Sequence, residues 1–206
     1  MKTIDQKIAD VFKDRKPEAE GFKKASAVLV PIMEIENEPH LILTQRAFSM
    51  KHQPGDICFP GGGCKEGETA EETALRETGE EIGIPPENID LLGPADVITT
   101  AYGVYIKPFV GILKGVDQDD FVINPDEVEK VLTIPLKYLM ETEPKKYTVD
   151  LTPNFPEDFP FELIQGGKDY KFGKAKNRQS FYEYEGDVIW GLTARILNNV
   201  KQILNN

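Results

Sequence analysis

Residues 62–84 read GGCKEGETAEETALRETGEEIGI and are rich in glutamate. Three of the glutamates, Glu77, Glu80 and Glu81, are spaced i, i+3 and i+4, so on a helix they project from one face. Like charges at that spacing repel one another, and these also crowd toward the negative C-terminal end of the helix. We therefore expect a positive charge against them, and a hard divalent cation that prefers oxygen ligands is the natural candidate.

The limits of this helix follow from its flanking residues. Thr69 followed by Glu72 is a capping-box pattern, which predicts a helix that begins just after Thr69. Gly83, with two prolines shortly after it, predicts the C-terminal end. Arg76 lies four residues before Glu80 and four after Glu72, so it can brace carboxylates on either side. A purely structural role for Arg76 is the alternative interpretation.

A glycine run precedes the helix, because residues 59–63 read FPGGG. Glycine lets the backbone approach a ligand closely. A glycine run alone usually marks only a turn. Placed directly before a helix with clustered carboxylates, it can offer a backbone carbonyl as another hard ligand.

The whole stretch resembles the Nudix box, whose fixed positions are all present: Gly62, Glu68, Arg76, Glu77, Glu80, Glu81, Gly83 and Ile84. One departure is Thr78, where the family usually has an aliphatic residue. The resemblance implies an α+β fold, an α/β/α sandwich with a mixed β-sheet between helices and a loop-helix-loop catalytic motif. It also implies a hydrolase that uses Mg²⁺ or Mn²⁺ to cleave a diphosphate joined to another moiety.

Carried over residue by residue, the resemblance implies that Glu77, Glu80 and Glu81 bind the metal. The carbonyl of Gly61 would complete the cluster, and Arg76 would orient the glutamates. The general base is open between Glu81 and a carboxylate from a later loop. Glu127 is the nominee from such a loop, and its alternative interpretation is a turn residue at the entry to a strand.

A second resemblance concerns the substrate. Residues 43–47 (LTQRA), then Lys51, Gly55 and residues 59–62 (FPGG), follow the extended signature of the coenzyme A pyrophosphatase subfamily. The subfamily has Arg where this chain has Lys51, and lysine lacks the planar fork that grips phosphate at two points. Residues 189–197 (IWGLTARIL) also look like the closing helix of that subfamily. The implied substrate contacts are Arg46 and Lys51, for which exposed surface cations are the alternative.

The predicted function is therefore cleavage of coenzyme A or its acyl derivatives to a phosphopantetheine fragment and adenosine 3′,5′-bisphosphate. Two alternatives stay open. The first is a Nudix hydrolase acting on ADP-ribose, a dinucleotide or another nucleoside diphosphate derivative. The second is a Nudix-fold ligand sensor without turnover, which is expected to have lost box carboxylates that are present here. Tyr102, Phe155 and Phe159 are candidates to stack on an adenine, although aromatic residues are more often core.

Composition limits the class of protein and its partners. The 206 residues suit one domain, 1–206, and the net charge of −11 disfavours general binding to nucleic acid or anionic membranes. No apolar run in the sequence reaches transmembrane length, and its first residues do not resemble a secretory signal, so we expect neither feature. The two cysteines, Cys58 and Cys64, indicate a reduced, cytoplasmic protein. Proteins with the Nudix fold often form homodimers, but the sequence of this chain does not decide its oligomeric state.

Periodicity predicts one continuous series of helices and strands. Helices are expected at about 3–14, from 70 to the Gly83 cap, at about 135–140 and at about 191–204. Strands are expected at 25–35, 41–44, 89–99, 104–113, 128–134 and 181–184, with turns at 37–39 and 102–103 and a loop at 148–160.

Overall fold

The computed structural model describes residues 3–15, 21, 25–100 and 103–206. Its helices are α1 (Ile4–Phe12), α2 (Ala70–Ile82), α3 (Leu136–Glu141) and α4 (Gly191–Leu204). Its strands are β1 (Ala25–Ile35), β2 (Glu38–Arg46), β3 (Ile57–Cys58), β4 (Gly61–Gly63), β5 (Ile89–Pro94), β6 (Ile98–Thr99), β7 (Tyr105–Leu113), β8 (Val128–Pro135), β9 (Lys145–Leu151), β10 (Ala175–Tyr184) and β11 (Asp187–Trp190).

The main sheet is mixed, as predicted. Its central order is β3-β2-β1-β7-β5, with β4 beside β1, β6 beside β7 and β8 beside β2. β1 and β7 run parallel, with Ala25 opposite Tyr105 and Ile32 opposite Ile112. The other pairings in this sheet are antiparallel.

The two faces of the sheet carry separate apolar cores, because side chains alternate along each strand. Ala27 and Leu29 of β1 are fully buried in the cluster that contains Ala74 of α2. Val30 points the other way, into the cluster that contains Leu197 of α4. Helices therefore cover both faces of the sheet, which confirms the predicted sandwich. On its face, α2 packs against β1 and the glycine strand β4.

α2 begins and ends where its flanking residues predict. The Thr69 hydroxyl accepts the Glu72 amide at 3.2 Å, and the Glu72 carboxylate accepts the Thr69 amide at 2.8 Å. Gly83 ends the helix with φ of 76°, a left-handed conformation that glycine adopts without strain. Thr78, the departure from the family pattern, is buried and satisfies its hydroxyl on the Ala74 carbonyl at 2.7 Å.

A smaller antiparallel sheet, in the order β11-β10-β9, packs beside α4. It corrects one prediction. The loop expected at 148–160 is wrong at its start, because β9 continues to Leu151 by pairing with β10. The last helix is confirmed, because α4 starts at Gly191; residues 189–190, the first two of the segment that resembles the closing helix, end β11.

Two further sequence expectations concern apolar and aromatic side chains. α1 forms within the predicted range, and its apolar side chains Ile4, Ile8, Val11 and Phe12 are exposed. The aromatic residues of the loop after β9 pack on one another; the Phe155 and Phe159 ring centroids are 4.7 Å apart, and Phe161 and Phe172 join them. Tyr102 lies outside the described residues. Among those residues, none of the helices has the length and apolar character needed to cross a bilayer.

Candidate active site

The glycine strand β4 lies directly against α2, and it can do so only because it lacks side chains. A Cβ added at Gly61 would lie 2.3 Å from the Ala27 carbonyl oxygen of β1. A Cβ added at Gly62 would lie 2.5 Å from the carboxyl carbon of Glu77. Real Cβ atoms do not approach so closely, so Gly61 permits the close pairing of β4 with β1, and Gly62 permits the close approach of β4 to Glu77.

Glu81 is the unusual carboxyl group of this contact. It is only 6% exposed. Its Oε1 accepts a long hydrogen bond of 3.5 Å from the Gly61 amide, and its buried Oε2 has no hydrogen-bond partner among the described residues. Burial raises the pKa of Glu81 to about 8, helped by the charges of Glu77 and Glu127 and opposed by the Gly61 amide and Arg46. A buried carboxylate oxygen without a partner is costly in free energy, so this group is poised to accept a cation or a proton.

The N-terminal side of α2 is a closed network around Arg76. The Arg76 guanidinium donates to both oxygens of Glu68, with Nε–Oε1 at 2.7 Å and Nη2–Oε2 at 3.1 Å. The Thr73 hydroxyl and the Lys65 amide also donate to Glu68. Led by Arg76, these donors lower the pKa of Glu68 to about 2. The carboxylates around Arg76 raise its own pKa, with Glu68 first.

Arg76 also reaches toward the other end of the helix. Its Nη1 lies 2.7 Å from a Glu77 oxygen and 2.8 Å from a Glu80 oxygen. Glu80 is half-exposed and faces Lys65 at 3.7 Å as well. The structure thus brings Glu77 and Glu81 together against β4 and leaves Glu80 at the rim. In the described part of the chain, no three acidic, histidine or cysteine side chains already converge as a metal-binding group.

The segment before β8 closes the site on another side. Amides of Val122 and Asn124 donate to the carbonyls of Ile82 and Glu81, each at 3.0 Å, which fastens this segment to the end of α2. Glu127 lies in the turn that leads into β8, and its charge is close enough to raise the pKa of Glu81. The nominated base is therefore both a turn residue and a neighbour of the buried carboxyl group.

A cavity of about 440 Å³ opens beside the glycine strand. Its walls are mainly apolar, with Val28, Phe59, Ile106, Leu192, Ile196 and Trp190 among them. Polar side chains interrupt them, including Arg46, Asp56, Asn177, Gln179 and Arg195. Gly61 and Gly62 form part of the wall, whereas no α2 carboxylate is among the described residues that line the cavity. The Glu77 carboxyl group lies against Gly62. Predominantly apolar concavities with a few polar groups are typical of small-molecule sites.

Comparison with known proteins agrees with this geometry. The sequence profile of the NUDIX domain matches residues 23–153. The chain belongs to the Nudix hydrolase family. It is 31% identical over 193 residues to Nudix hydrolase 3 of Caenorhabditis elegans, across 88% of this chain and 73% of that protein. It is 31% identical over 179 residues to the uncharacterized Nudix hydrolase NudL of Pectobacterium atrosepticum, across 86% of this chain and 81% of that protein.

The structure treats the two predicted substrate contacts of this Nudix protein differently. Arg46 lies at the end of β2, lines the cavity and is close enough to Glu81 to lower its pKa. Its Nε donates to the His52 carbonyl at 3.2 Å, which fixes the guanidinium at the cavity edge. Lys51 is exposed on the following loop and is not among the described residues that line the cavity.

Sequence reasoning missed part of the cavity wall. Asn177 and Gln179 of β10 and Arg195 of α4 line the cavity but lie far beyond the Nudix box in sequence. Trp190 is 45% exposed, stacked on Phe181 with ring centroids 5.9 Å apart, and part of the cavity wall. No local pattern marks Asn177 and Gln179, because the second sheet carries them to the cavity. Trp190 and Arg195 lie in the 189–197 segment, but its resemblance to a closing helix does not place them in a cavity wall.

Proposed function

We propose that this chain is a metal-dependent Nudix hydrolase that cleaves the diphosphate of coenzyme A or its acyl derivatives. The products would be a phosphopantetheine fragment and adenosine 3′,5′-bisphosphate. We assign the activity to one domain, residues 1–206, with Mg²⁺ or Mn²⁺ as the cation. Because Cys58 and Cys64 are both free thiols, we further propose a reducing, cytoplasmic location.

The observation that carries the proposal is the buried Oε2 of Glu81 without a partner. Burying a carboxylate in this state is unfavourable unless a cation joins it. Glu77 lies beside it, and hard oxygen donors are the ligands that Mg²⁺ and Mn²⁺ prefer. The donor set therefore fits a divalent cation, with Glu77, Glu81 and the Gly61 carbonyl as holders and Glu80 at the rim.

When bound, such a cation supplies positive charge that neutralises diphosphate oxygens and makes an attacking water more acidic. The protein residues do the rest. Arg76 holds Glu77 and Glu80 by its Nη1 while it is itself fixed by Glu68. Glu127, close to Glu81, is our candidate to accept the proton of the attacking water; Glu81 is the alternative.

Support for the substrate comes from the cavity. Arg46 lines it and carries a charge that suits a phosphate, while the apolar walls suit an uncharged arm. Coenzyme A combines a diphosphate with a long, largely uncharged arm. We also propose that Lys51 contacts a phosphate, which requires its loop to move toward the cavity when the substrate binds. The homodimer stays a prediction.

A panel of diphosphate substrates tests the function. We expect turnover of coenzyme A with Mg²⁺ or Mn²⁺, with a phosphopantetheine fragment and adenosine 3′,5′-bisphosphate identified by mass. Glu81→Gln serves as the inactive control. Preferred cleavage of ADP-ribose or a dinucleotide would replace the substrate but keep the hydrolase. Binding of these compounds without cleavage of any of them would favour a ligand sensor.

A further inference from the structure

A second depression, a groove of about 980 Å³, adjoins the cavity. It lies between the paired strands β9 and β10 and α4, and we call it the basic groove. It shares Thr100, Asn177 and Arg195 with the cavity beside the glycine strand. The cavity and the basic groove are therefore neighbours that meet at these three residues.

The basic groove is lined by four cations: Lys146, Lys176, Arg178 and Arg195. No carboxylate is among its lining residues in the described part of the chain. This is unexpected in a protein with a net charge of −11, where acidic residues outnumber basic ones. Local concentration of one sign of charge in a concave surface attracts ligands of the opposite sign.

Nearby acids neutralise these cations unequally. Lys146 is paired with Glu143 at 2.9 Å, and Lys176 lies opposite Asp150 across the β9–β10 ladder. Arg178 is opposite Thr148 and has no ion pair among the described residues. Lys176 and Arg178 are two residues apart on β10, so their side chains project from the same face.

The remaining walls supply uncharged hydrogen-bonding groups. Amide side chains of Asn198, Asn199 and Gln202 line the basic groove from α4. Asn199 is already engaged by Asp96, while Asn198 binds the Ser180 hydroxyl and the Tyr182 hydroxyl. Arg195 donates one N–H to the Thr99 carbonyl at 3.0 Å, which holds it at the boundary between cavity and groove.

We propose that the basic groove binds a phosphomonoester of the substrate, one that is separate from the diphosphate being cleaved. This inference rests on the proposed function, in which the substrate carries such a group on its ribose. A phosphomonoester has close to two negative charges at neutral pH and accepts hydrogen bonds from several directions, which suits Arg178, Lys176 and Arg195 together. An extended nucleic acid is less suited, since the chain as a whole carries a net charge of −11.

The test compares coenzyme A with 3′-dephospho-coenzyme A. In the unaltered protein we expect kcat/KM to favour coenzyme A by about tenfold, the effect of a charge-assisted phosphate contact. In Lys176→Ala/Arg178→Ala that ratio should fall to near one. Lys137→Ala/Lys168→Ala removes the same charge from exposed positions outside the groove and should keep the ratio. A ratio near one in the unaltered protein, or an unchanged ratio in the groove variant, would overturn the proposal.

A binding measurement separates this proposal from the proposed function. By calorimetry, the unaltered protein should bind adenosine 3′,5′-bisphosphate about tenfold more tightly than adenosine 5′-monophosphate, and the groove variant should bind both alike. If neither coenzyme A nor its 3′-dephospho form is hydrolysed, the proposed function fails. The relative affinity for the two nucleotides still tests whether the basic groove binds a phosphomonoester. Equal binding of the two nucleotides by the unaltered protein would refute the phosphomonoester site even if coenzyme A is cleaved.

Discussion

The two ends of α2 present the same side chain in opposite environments. At the N-terminal end, Glu68 accepts hydrogen bonds from Arg76, Thr73 and the Lys65 amide, and its pKa is lowered to about 2. At the C-terminal end, Glu81 is buried with one oxygen unpartnered, and its pKa is raised to about 8. The first carboxylate is satisfied within the chain, whereas the second is left to be satisfied by something else. This difference separates a residue that supports the site from one that forms it.

The largest effect that this contrast predicts is on turnover by Glu81→Gln. The amide matches the shape of the carboxylate but removes its charge, so diphosphate cleavage should fall by roughly a hundredfold or more. Melting temperature should not fall, because a neutral group is easier to bury. Glu71→Gln, an exposed change in the first turn of α2, is the matched control and should keep its activity. Comparable turnover in the two variants would mean that both ends of the helix are merely structural.

A smaller loss is expected from Arg76→Lys. Lysine keeps the charge but cannot donate to both Glu68 oxygens while also holding Glu77. Turnover should fall about tenfold, in the range seen when groups behind a metal ligand are changed. Steady-state rates measured across a range of Mg²⁺ concentrations check this. Arg15→Lys, at an exposed position, controls for the exchange itself; full activity in Arg76→Lys would show that charge alone is sufficient.

Much of α2 could be predicted from sequence because local chemistry decides it. The Thr69–Glu72 capping box and the Gly83 left-handed cap act within a few residues of the chain, so the sequence predicts both ends of the helix. The spacing of the glutamates along the helix follows from those limits. The sequence could not show that Glu80 turns to the rim, since Arg76 and Lys65 compete for it in three dimensions.

The second sheet shows where local reasoning stops. Every residue of β9 except Leu151 is exposed, so it has no buried face to produce an apolar alternation. The β10–β11 hairpin did have a signal: Glu185 and Gly186 form its two-residue turn, with φ of 50° and 89°. Recognising that turn would have predicted β11, but not the place of Trp190 in the cavity wall.

The smallest effect expected is a pair of opposite pH dependences in metal-free protein. Glu68 is ionised in the fold below its ordinary pKa of 4.5, so its stabilising contribution is present above pH 4.5 and is lost as the pH falls toward 2. Glu81 keeps its proton up to about pH 8, so the penalty for ionising it in the fold grows as the pH rises from 4.5 toward 8.

Melting temperatures with a chelator present, from pH 2 to 9, check both signs. Glu68→Gln should melt lower than the unaltered protein at neutral pH, and the gap should close in acid. Glu81→Gln should match the unaltered protein below pH 4.5 and melt higher by a few degrees at pH 8. If the melting temperatures of the two variants depended on pH in the same way, the proposed difference between Glu68 and Glu81 would be wrong.

Manganese binding, followed by the loss of the free Mn²⁺ signal in electron paramagnetic resonance, tests the central claim most directly. The unaltered protein and Glu71→Gln should bind Mn²⁺ with similar affinity, while Glu81→Gln should bind it at least about tenfold more weakly. Equal binding by Glu81→Gln, or no binding by the unaltered protein with adenosine 3′,5′-bisphosphate present, would contradict the assignment of the buried carboxylate as a metal ligand.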